Sequence, residues 1–166
     1  MESIYRTLYI CIYNYCKYMN VEEIIKTAHK IPLESRTLIH MTLVHNQLNE
    51  RINAALKPFE VSLQQFNVLR ILRGQKGKPA NLSTLNERMV TKMSNTTRLV
   101  DKLLVKGFVT RAVCETNRRK VEIVITDLGM EILAQMDKEV KSAEKKAVSN
   151  LTQDELETLN ILLDKF

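Results

Sequence analysis

The 166-residue chain has little of what enzyme active sites and metal sites are built from. It contains four glycines, each beside a predicted turn, and no glycine-rich loop that could hold a phosphate. It also lacks the H-E-x-x-H zinc motif, a nucleophile elbow and a catalytic carboxylate pair. The histidines His29, His40 and His45 have no cysteine or second histidine at metal-ligand spacing. These absences argue against an enzyme and against a resident metal or cofactor.

Cysteines and long apolar runs are also scarce. The three cysteines Cys11, Cys16 and Cys114 are odd in number and lack metal-ligand spacing, which is typical of a protein in a reducing cytoplasm. No run of about 18 apolar residues occurs, so we expect no membrane span. We therefore expect a cytoplasmic protein. Its length suits one domain whose core needs no disulfide or metal.

The excess of positive charge lies in one stretch. Between Lys92 and Lys120 there are eight basic and two acidic residues, a net charge of +6, which equals the net charge of the whole chain. We call residues 92–120 the basic strip. A balanced protein with one basic strip has the surface expected of a protein that binds a polyanion, most often nucleic acid. From charge alone, a solvated basic face would be the simpler interpretation.

The pattern within the basic strip predicts a helix followed by a β-hairpin. A polar start at residues 94–97 precedes apolar residues at helical spacing, and Gly107 is suited to end the helix. Residues 108–113 and 121–125 are predicted strands, and residues 114–120 form a polar tip between them. A helix with small polar residues at its front, followed by a basic hairpin, indicates a winged helix-turn-helix.

The segment before the basic strip completes this motif. Residues 62–65, Ser-Leu-Gln-Gln, form a capping box, so a helix should begin there and end at Gly74. A loop over residues 75–81 and a short helix over residues 82–89 should follow. The turn at residues 90–91 lacks the glycine often found in helix-turn-helix units. The first helix should turn its apolar residues Phe66, Leu69, Ile71 and Leu72 inward.

Amphipathic helices flank the motif on both sides. Apolar residues recur every three or four positions along residues 38–59 and along residues 133–147, and a capping box at residues 152–155 begins a last helix. Because these helices exceed what a winged-helix core needs, we expect a twofold dimer to cover them, with intramolecular packing as the alternative. The residues expected to be covered are Leu38, Met41, His45, Leu48, Ile52, Ala55 and Phe59, then Leu133, Met136, Val140, Ala143 and Ala147, and finally Leu159, Leu162, Leu163 and Phe166.

The sequence resembles the multiple-antibiotic-resistance regulator (MarR) family over residues 33–166. The resemblance rests on four segments in the family's order and spacing, TRLVDKL from Thr97, GFVTR from Gly107, NRR from Asn117 and ITDLG from Ile125. It implies a mainly α (α+β) fold. Dimerisation helices would occupy residues 19–60 and 129–166, on either side of a winged helix-turn-helix at residues 61–128.

The resemblance also implies a function. Members of the family are homodimeric bacterial repressors or activators that bind double-stranded DNA, and many respond to small anionic or phenolic compounds, oxidants or metals. The recognition helix would span residues 94–106, and Asn117 and Arg119 would replace the usual Asp-x-Arg of the wing. Asn117 offers no carboxylate to fix the arginine. The implied DNA contacts are Ser94, Asn95, Thr96, Thr97, Arg98 and Lys102 in the helix, and Asn117, Arg118, Arg119 and Lys120 in the wing.

Three further interpretations stay open. His45 lies on an apolar stripe, where most histidines are satisfied in a core or interface, but the stripe would border the family's effector pocket. Cys114 lies near the wing and could report oxidation, because Arg111 and Arg118 would acidify an exposed thiol, although an inert cysteine is the commoner case. The basic strip could also meet an acidic protein partner instead of DNA.

Residues 1–18 differ in composition from the rest of the chain. They hold all five tyrosines and two of the three cysteines. They lack a small-residue cleavage site, which argues against a signal peptide. A start at Met19 would fit chain length in the resembled family. The segment is therefore either an upstream extension or an extra helix that docks on the dimer.

Overall fold

The structure of the protein, a computed structural model, describes residues 19–90, 95–114 and 117–166, without the side chains of residues 114–120. The predictions for residues 1–18 and for Ser94 therefore fall outside the described residues. The elements, in chain order, are α1 (Val21–Ile24), α2 (Leu33–Leu56), a 3-10 helix (Lys57–Phe59), α3 (Leu63–Gly74), α4 (Leu82–Arg88), α5 (Thr96–Val105), β1 (Val109–Cys114), β2 (Asn117–Ile125), α6 (Asp127–Ala147) and α7 (Gln153–Leu163). This mainly α architecture with a small antiparallel sheet confirms the predicted fold class.

The chain divides into two compact units, one up to Asn46 and one from Gln47 onward, and α2 contributes to both. In the first unit, the side chain of Asn20 accepts hydrogen bonds from amides of the first turn and caps α1. Arg36 forms a bidentate ion pair with Glu22, with nitrogen–oxygen distances of 2.7 and 3.1 Å. Because the guanidinium stabilises the carboxylate, the pKa of Glu22 is lowered. This pair ties α1 to the beginning of α2.

The core of the second unit surrounds α3. The predicted capping box is confirmed, because the Ser62 amide donates to Gln65 Oε1 at 2.9 Å and the Gln65 amide donates to Ser62 Oγ at 3.2 Å. One face of α3 is buried, with Ile71 partly buried beside it. Helices α4, α5 and α6 and strand β2 pack around this face. The largest fully buried side chains of the unit are Leu56, Phe66, Leu69, Leu72, Leu85, Leu103, Ile123, Leu133 and Met136.

The hairpin is longer than its sequence suggests. Antiparallel pairing runs up to Val113 opposite Val121, and a register shift then places Cys114 opposite Asn117. The prediction of a polar tip over residues 114–120 is therefore wrong for Cys114, whose backbone belongs to β1, and for residues 117–120, whose backbone belongs to β2. Polar side chains do not prevent this pairing, because the hydrogen bonds of the ladder come from backbone groups.

A short bridge adds a further contact to the hairpin. The Ala80 amide donates to the Ile123 carbonyl at 3.0 Å, and the Ile123 amide donates to the Ala80 carbonyl at 2.8 Å. This contact lies in the predicted loop between α3 and α4 and was not expected from the sequence. It holds the front of the helix-turn-helix against β2.

A tight junction joins α5, the hairpin and α6. Gly107 has a φ of +72°, which confirms the prediction that a glycine ends this helix. The Thr126 hydroxyl donates to the Gly107 carbonyl at 2.8 Å, and the Thr126 amide donates to the Phe108 carbonyl at 3.1 Å. A Cβ atom at Gly129 would overlap that Phe108 carbonyl oxygen. Glycine is therefore what lets the first turn of α6 approach the base of the hairpin.

The apolar stripe of α6 packs within the chain. Leu133, Met136 and Val140 are buried in the core of the second unit, so the expectation that a partner covers them is wrong and the intramolecular alternative is correct. Ile52 and Phe59 also pack against this core. A regular apolar spacing predicts that a helix face is covered, but it carries no information about whether the cover comes from the same chain.

Helix α7 differs from α6. Its capping box is confirmed, because the Thr152 amide donates to Glu155 Oε2 at 2.8 Å and the Thr152 hydroxyl accepts the Glu155 amide at 3.3 Å. The side chains expected to be buried on it and just after it remain exposed in the single chain: Leu159 by 42%, Leu162 by 51%, Leu163 by 43% and Phe166 by 83%. Among the described residues, no helix has the length and apolar character needed to cross a membrane.

Candidate nucleic-acid interface

Helix α5 has one buried and one exposed face. Val100 and Leu103 are buried in the core of the second unit. Thr97, Arg98 and Lys102 are exposed. Arg98 and Lys102 are four residues apart and therefore lie on the same side of the helix. The exposed face thus combines a hydroxyl with two cations, a set of groups able to contact base edges and phosphates.

The first turn of α5 is attached to α4. Thr96 is only 3% exposed, and its hydroxyl donates a hydrogen bond to Asn86 Oδ1 on α4. The expectation that Thr96 faces DNA is therefore wrong, because its side chain points into the helix-turn-helix. Asn95 precedes it as an exposed residue at the N-cap position, without a side-chain capping bond. Asn86 was not singled out in the sequence, since nothing local marks it as a partner of Thr96.

Ion pairs engage two cations of the basic strip. Arg111 Nη1 on β1 lies 3.0 Å from Asp101 Oδ1 on α5, and Lys106 Nζ lies 3.1 Å from Glu60 Oε2. All four side chains are partly exposed to solvent, so each pair is worth about 0–1 kcal/mol. Among the described residues, Arg98 and Lys102 of α5 have no ion-pair partner.

The wing is described by its backbone. Residues 117–120 belong to β2, and Thr110, Arg111 and Val113 of β1 are exposed. The side chains of Asn117, Arg118, Arg119 and Lys120 lie outside the described residues, and so does the thiol of Cys114. Their predicted parts in DNA binding and redox sensing stay predictions.

Three other candidate sites are His45, a cavity on α7 and possible metal-binding groups. His45 is exposed on α2 and does not line the cavity found on α7. That cavity has a volume of about 370 Å³ and includes Leu151, Leu159 and Leu162 in its lining. At its edge, the Thr152 amide and hydroxyl donate to Glu155 and lower the pKa of that carboxyl. Among the described residues, no group of three or more histidine, cysteine or acidic side chains is placed to hold a metal.

The paired helices α4 and α5, the exposed polar face of α5 and the hairpin behind it define a winged helix-turn-helix protein. A model of the MarR family matches residues 61–121, which include both helices and much of the hairpin. The chain is 32% identical over 131 residues to the multiple antibiotic resistance protein MarR of Escherichia coli K12, an overlap that covers 77% of this chain and 87% of that protein. The chain belongs to the MarR family.

Two other similarities bear on fold and function. The HTH-type transcriptional repressor IacR of Pseudomonas putida is 22% identical over 121 residues, covering 73% of this chain and 71% of that protein. A crystal structure of a mutant E. coli MarR complexed with operator DNA is 28% identical. The match covers 89% of this chain and 98% of that chain, with a TM-score of 0.68. The winged-helix fold predicted from the sequence is thereby confirmed.

Proposed function

We propose that the protein is a cytoplasmic, homodimeric transcriptional repressor that binds an operator in duplex DNA. The observation that carries this proposal is the exposed face of α5, on which Thr97, Arg98 and Lys102 lie opposite a fully packed face. The similarity to MarR in its complex with operator DNA supports the same use of the helix here. The name of the IacR relative supports repression.

The exposed groups of α5 divide by what each can contact. Arg98 lies in the first turn of the helix, close enough to its N-terminal end to reach a guanine edge, and a good bidentate contact of this kind discriminates by about 1–3 kcal/mol. Lys102 lies one turn further along and suits a phosphate. Thr97 and Asn95 supply polar groups at the front of the helix. Base reading is therefore expected at the N-terminal end of α5, with backbone contacts behind it and at the wing.

The apolar surface of α7 supports the homodimer. Leu159 and Leu162 are about half exposed in the single chain and line an open apolar cavity of about 370 Å³, and Phe166, three residues after the helix, is also exposed. Full burial of such a side chain is worth about 1.5–3 kcal/mol relative to full exposure, so covering the parts that are still exposed would contribute a fraction of this value for each residue. A second copy related by a twofold axis is the commonest cover. Two recognition helices would then meet half-sites about 10–11 base pairs apart, and the operator would be pseudo-palindromic.

Repression also needs a signal that releases DNA. We expect a small anionic or aromatic effector, as the family resemblance implies, with His45 as the local candidate in its pocket. Such a ligand must bind the form that does not fit DNA more tightly than the form that does, because equal affinity shifts no equilibrium. Operator DNA must then weaken ligand binding by the same factor. Calorimetry with salicylate, with and without operator, measures both sides of this linkage.

Selection of bound fragments from the genome that encodes the protein tests the proposal. We expect enrichment of fragments that share a pseudo-palindrome, with binding that weakens steeply as salt is raised. A scrambled duplex of equal length and composition is the control for sequence preference. Failure to bind either duplex would reject the proposal and favour an acidic protein as the partner of the basic strip.

A further inference from the structure

Asp101 is unusual in its position. It is the one acidic residue of the described part of the basic strip, and it lies on α5 three residues after Arg98 and beside Lys102. Its side chain is 52% exposed. A carboxylate at this place would oppose the phosphates that the strip is expected to meet, so its presence on this surface needs an explanation.

Asp101 forms an ion pair that accounts for its presence on this surface. Its Oδ1 atom lies 3.0 Å from Nη1 of Arg111, which is on the first strand of the hairpin and is 36% exposed. The pair therefore joins the recognition helix to the wing across the expected DNA-facing surface. It also occupies an arginine that could otherwise turn toward any phosphate in reach. Both consequences favour one arrangement of helix and wing on the DNA over the many arrangements in which the protein is bound loosely.

We propose that Asp101 is a specificity-determining residue of the DNA site, which holds Arg111 in place and so keeps it from binding phosphates of random DNA. This inference rests on the proposed function. Random DNA is bound almost entirely through phosphates, so an additional free cation strengthens that binding directly. On an operator, the same gain is offset because α5 is no longer fixed against the wing. Specificity is a difference between two affinities, and an element that weakens the wrong complex increases it.

The chain supplies a matched control pair. Glu60 and Lys106 form an ion pair of nearly the same length, 3.1 Å, and Lys106 lies just after the last residue of α5. Glu60→Gln changes the net charge as Asp101→Asn does, and it also releases a cation of the basic strip. Lys106 lies at the C-terminal end of the recognition helix, away from the first turn expected to read bases. The two substitutions therefore differ in the place of the released cation and not in total charge.

The experiment measures the affinity of the full-length protein for a genomically selected operator and for a scrambled duplex over a range of salt concentrations. For Asp101→Asn we expect random-duplex affinity to rise about three- to tenfold near 50 mM salt, with a salt slope steeper by about one. Operator affinity should stay within about twofold, which lowers the ratio of the two affinities about three- to tenfold. Glu60→Gln should leave that ratio within about twofold of the wild-type value.

A double-mutant cycle tests the dependence on Arg111. In an Arg111→Gln background, Asp101→Asn should no longer raise random-duplex affinity, because no cation is left to release. A rise of the same size in both backgrounds, or an equal rise from Glu60→Gln, would show that net charge alone is responsible. If Asp101→Asn lowered the affinity for both duplexes together, the ion pair would have a structural role in the fold and no role in specificity. In either case the proposed function stands, whereas wild-type protein that binds neither duplex removes the proposed function itself.

Discussion

Substitution of Gly129 by alanine tests the junction that positions the wing. Gly129 lies in the first turn of α6, and an added Cβ would overlap the carbonyl oxygen of Phe108 and press on Ile125. That carbonyl already accepts the amide of Thr126 at 3.1 Å, so it cannot move without weakening this bond. The close approach of helix and hairpin is therefore lost.

The expected cost follows from these two effects. Overpacking in a well-packed region costs about 1–3 kcal/mol, and a weakened buried hydrogen bond adds about 1 kcal/mol. Gly129→Ala should thus lower the free energy of unfolding by about 2–4 kcal/mol. For a chain of this length, the melting temperature would fall by about 4–16 °C.

Denaturant unfolding at a fixed protomer concentration measures this change, because an associating protein has a concentration-dependent stability. Gly74→Ala is the control, since a Cβ there meets nothing within 4 Å and Gly74 lies in the last turn of α3 with an ordinary φ. That substitution should be neutral or stabilise the fold by up to about 1 kcal/mol. If Gly129→Ala left stability within about 0.5 kcal/mol of wild type, the close contact between α6 and the hairpin would not exist as described.

Three further predictions concern the interface and the dimer. Arg98→Ala should cost about 1–3 kcal/mol of binding free energy on the operator and relax the preference at one base. Arg119→Ala should instead weaken binding to all duplexes and flatten the salt slope by about one. Titration of operator variants separates the two effects, and equal losses on all sequences would make Arg98 a phosphate contact. Thr96→Val should lower the free energy of unfolding by about 1 kcal/mol, because the hydrogen bond to Asn86 is lost. An unchanged denaturation midpoint would show that this hydrogen bond contributes nothing to stability. If α7 forms the proposed dimer interface, Leu162→Glu should place a charge in it and give monomers in sedimentation velocity at concentrations where the wild-type protein is expected to be dimeric. A dimer that persists in this variant would place the interface away from α7.

Features that depend on neighbouring residues were predictable from the sequence. The capping boxes at Ser62 and Thr152 and the glycine stop at Gly107 each follow from a few adjacent residues, and the structure shows all three. The alternation of Val121, Ile123 and Ile125 likewise predicted the inner half of β2. These signals work because caps, turns and strand alternation are set by local backbone geometry.

Features that depend on contacts between distant segments were not predictable. The bond from Thr96 to Asn86 spans ten residues, and the ion pair of Asp101 with Arg111 joins a helix to a strand. In neither pair does the sequence around one residue predict its partner. The stripe on α6 shows the same limit, because its spacing predicted burial correctly but not the chain that supplies the cover. The DNA-contact residues of the wing stay predictions, since their side chains lie outside the described residues.

The most direct test of the account is the mass of the protein–DNA complex as salt is raised. Sedimentation equilibrium with a fluorescent, genomically selected operator gives the number of chains per duplex and the affinity in one series. We predict two chains on one operator, with affinity that falls linearly in log–log form as salt increases and exceeds that for a scrambled duplex about a thousandfold or more. A single bound chain, or equal affinity for both duplexes, would contradict the claim that paired winged helices read this DNA.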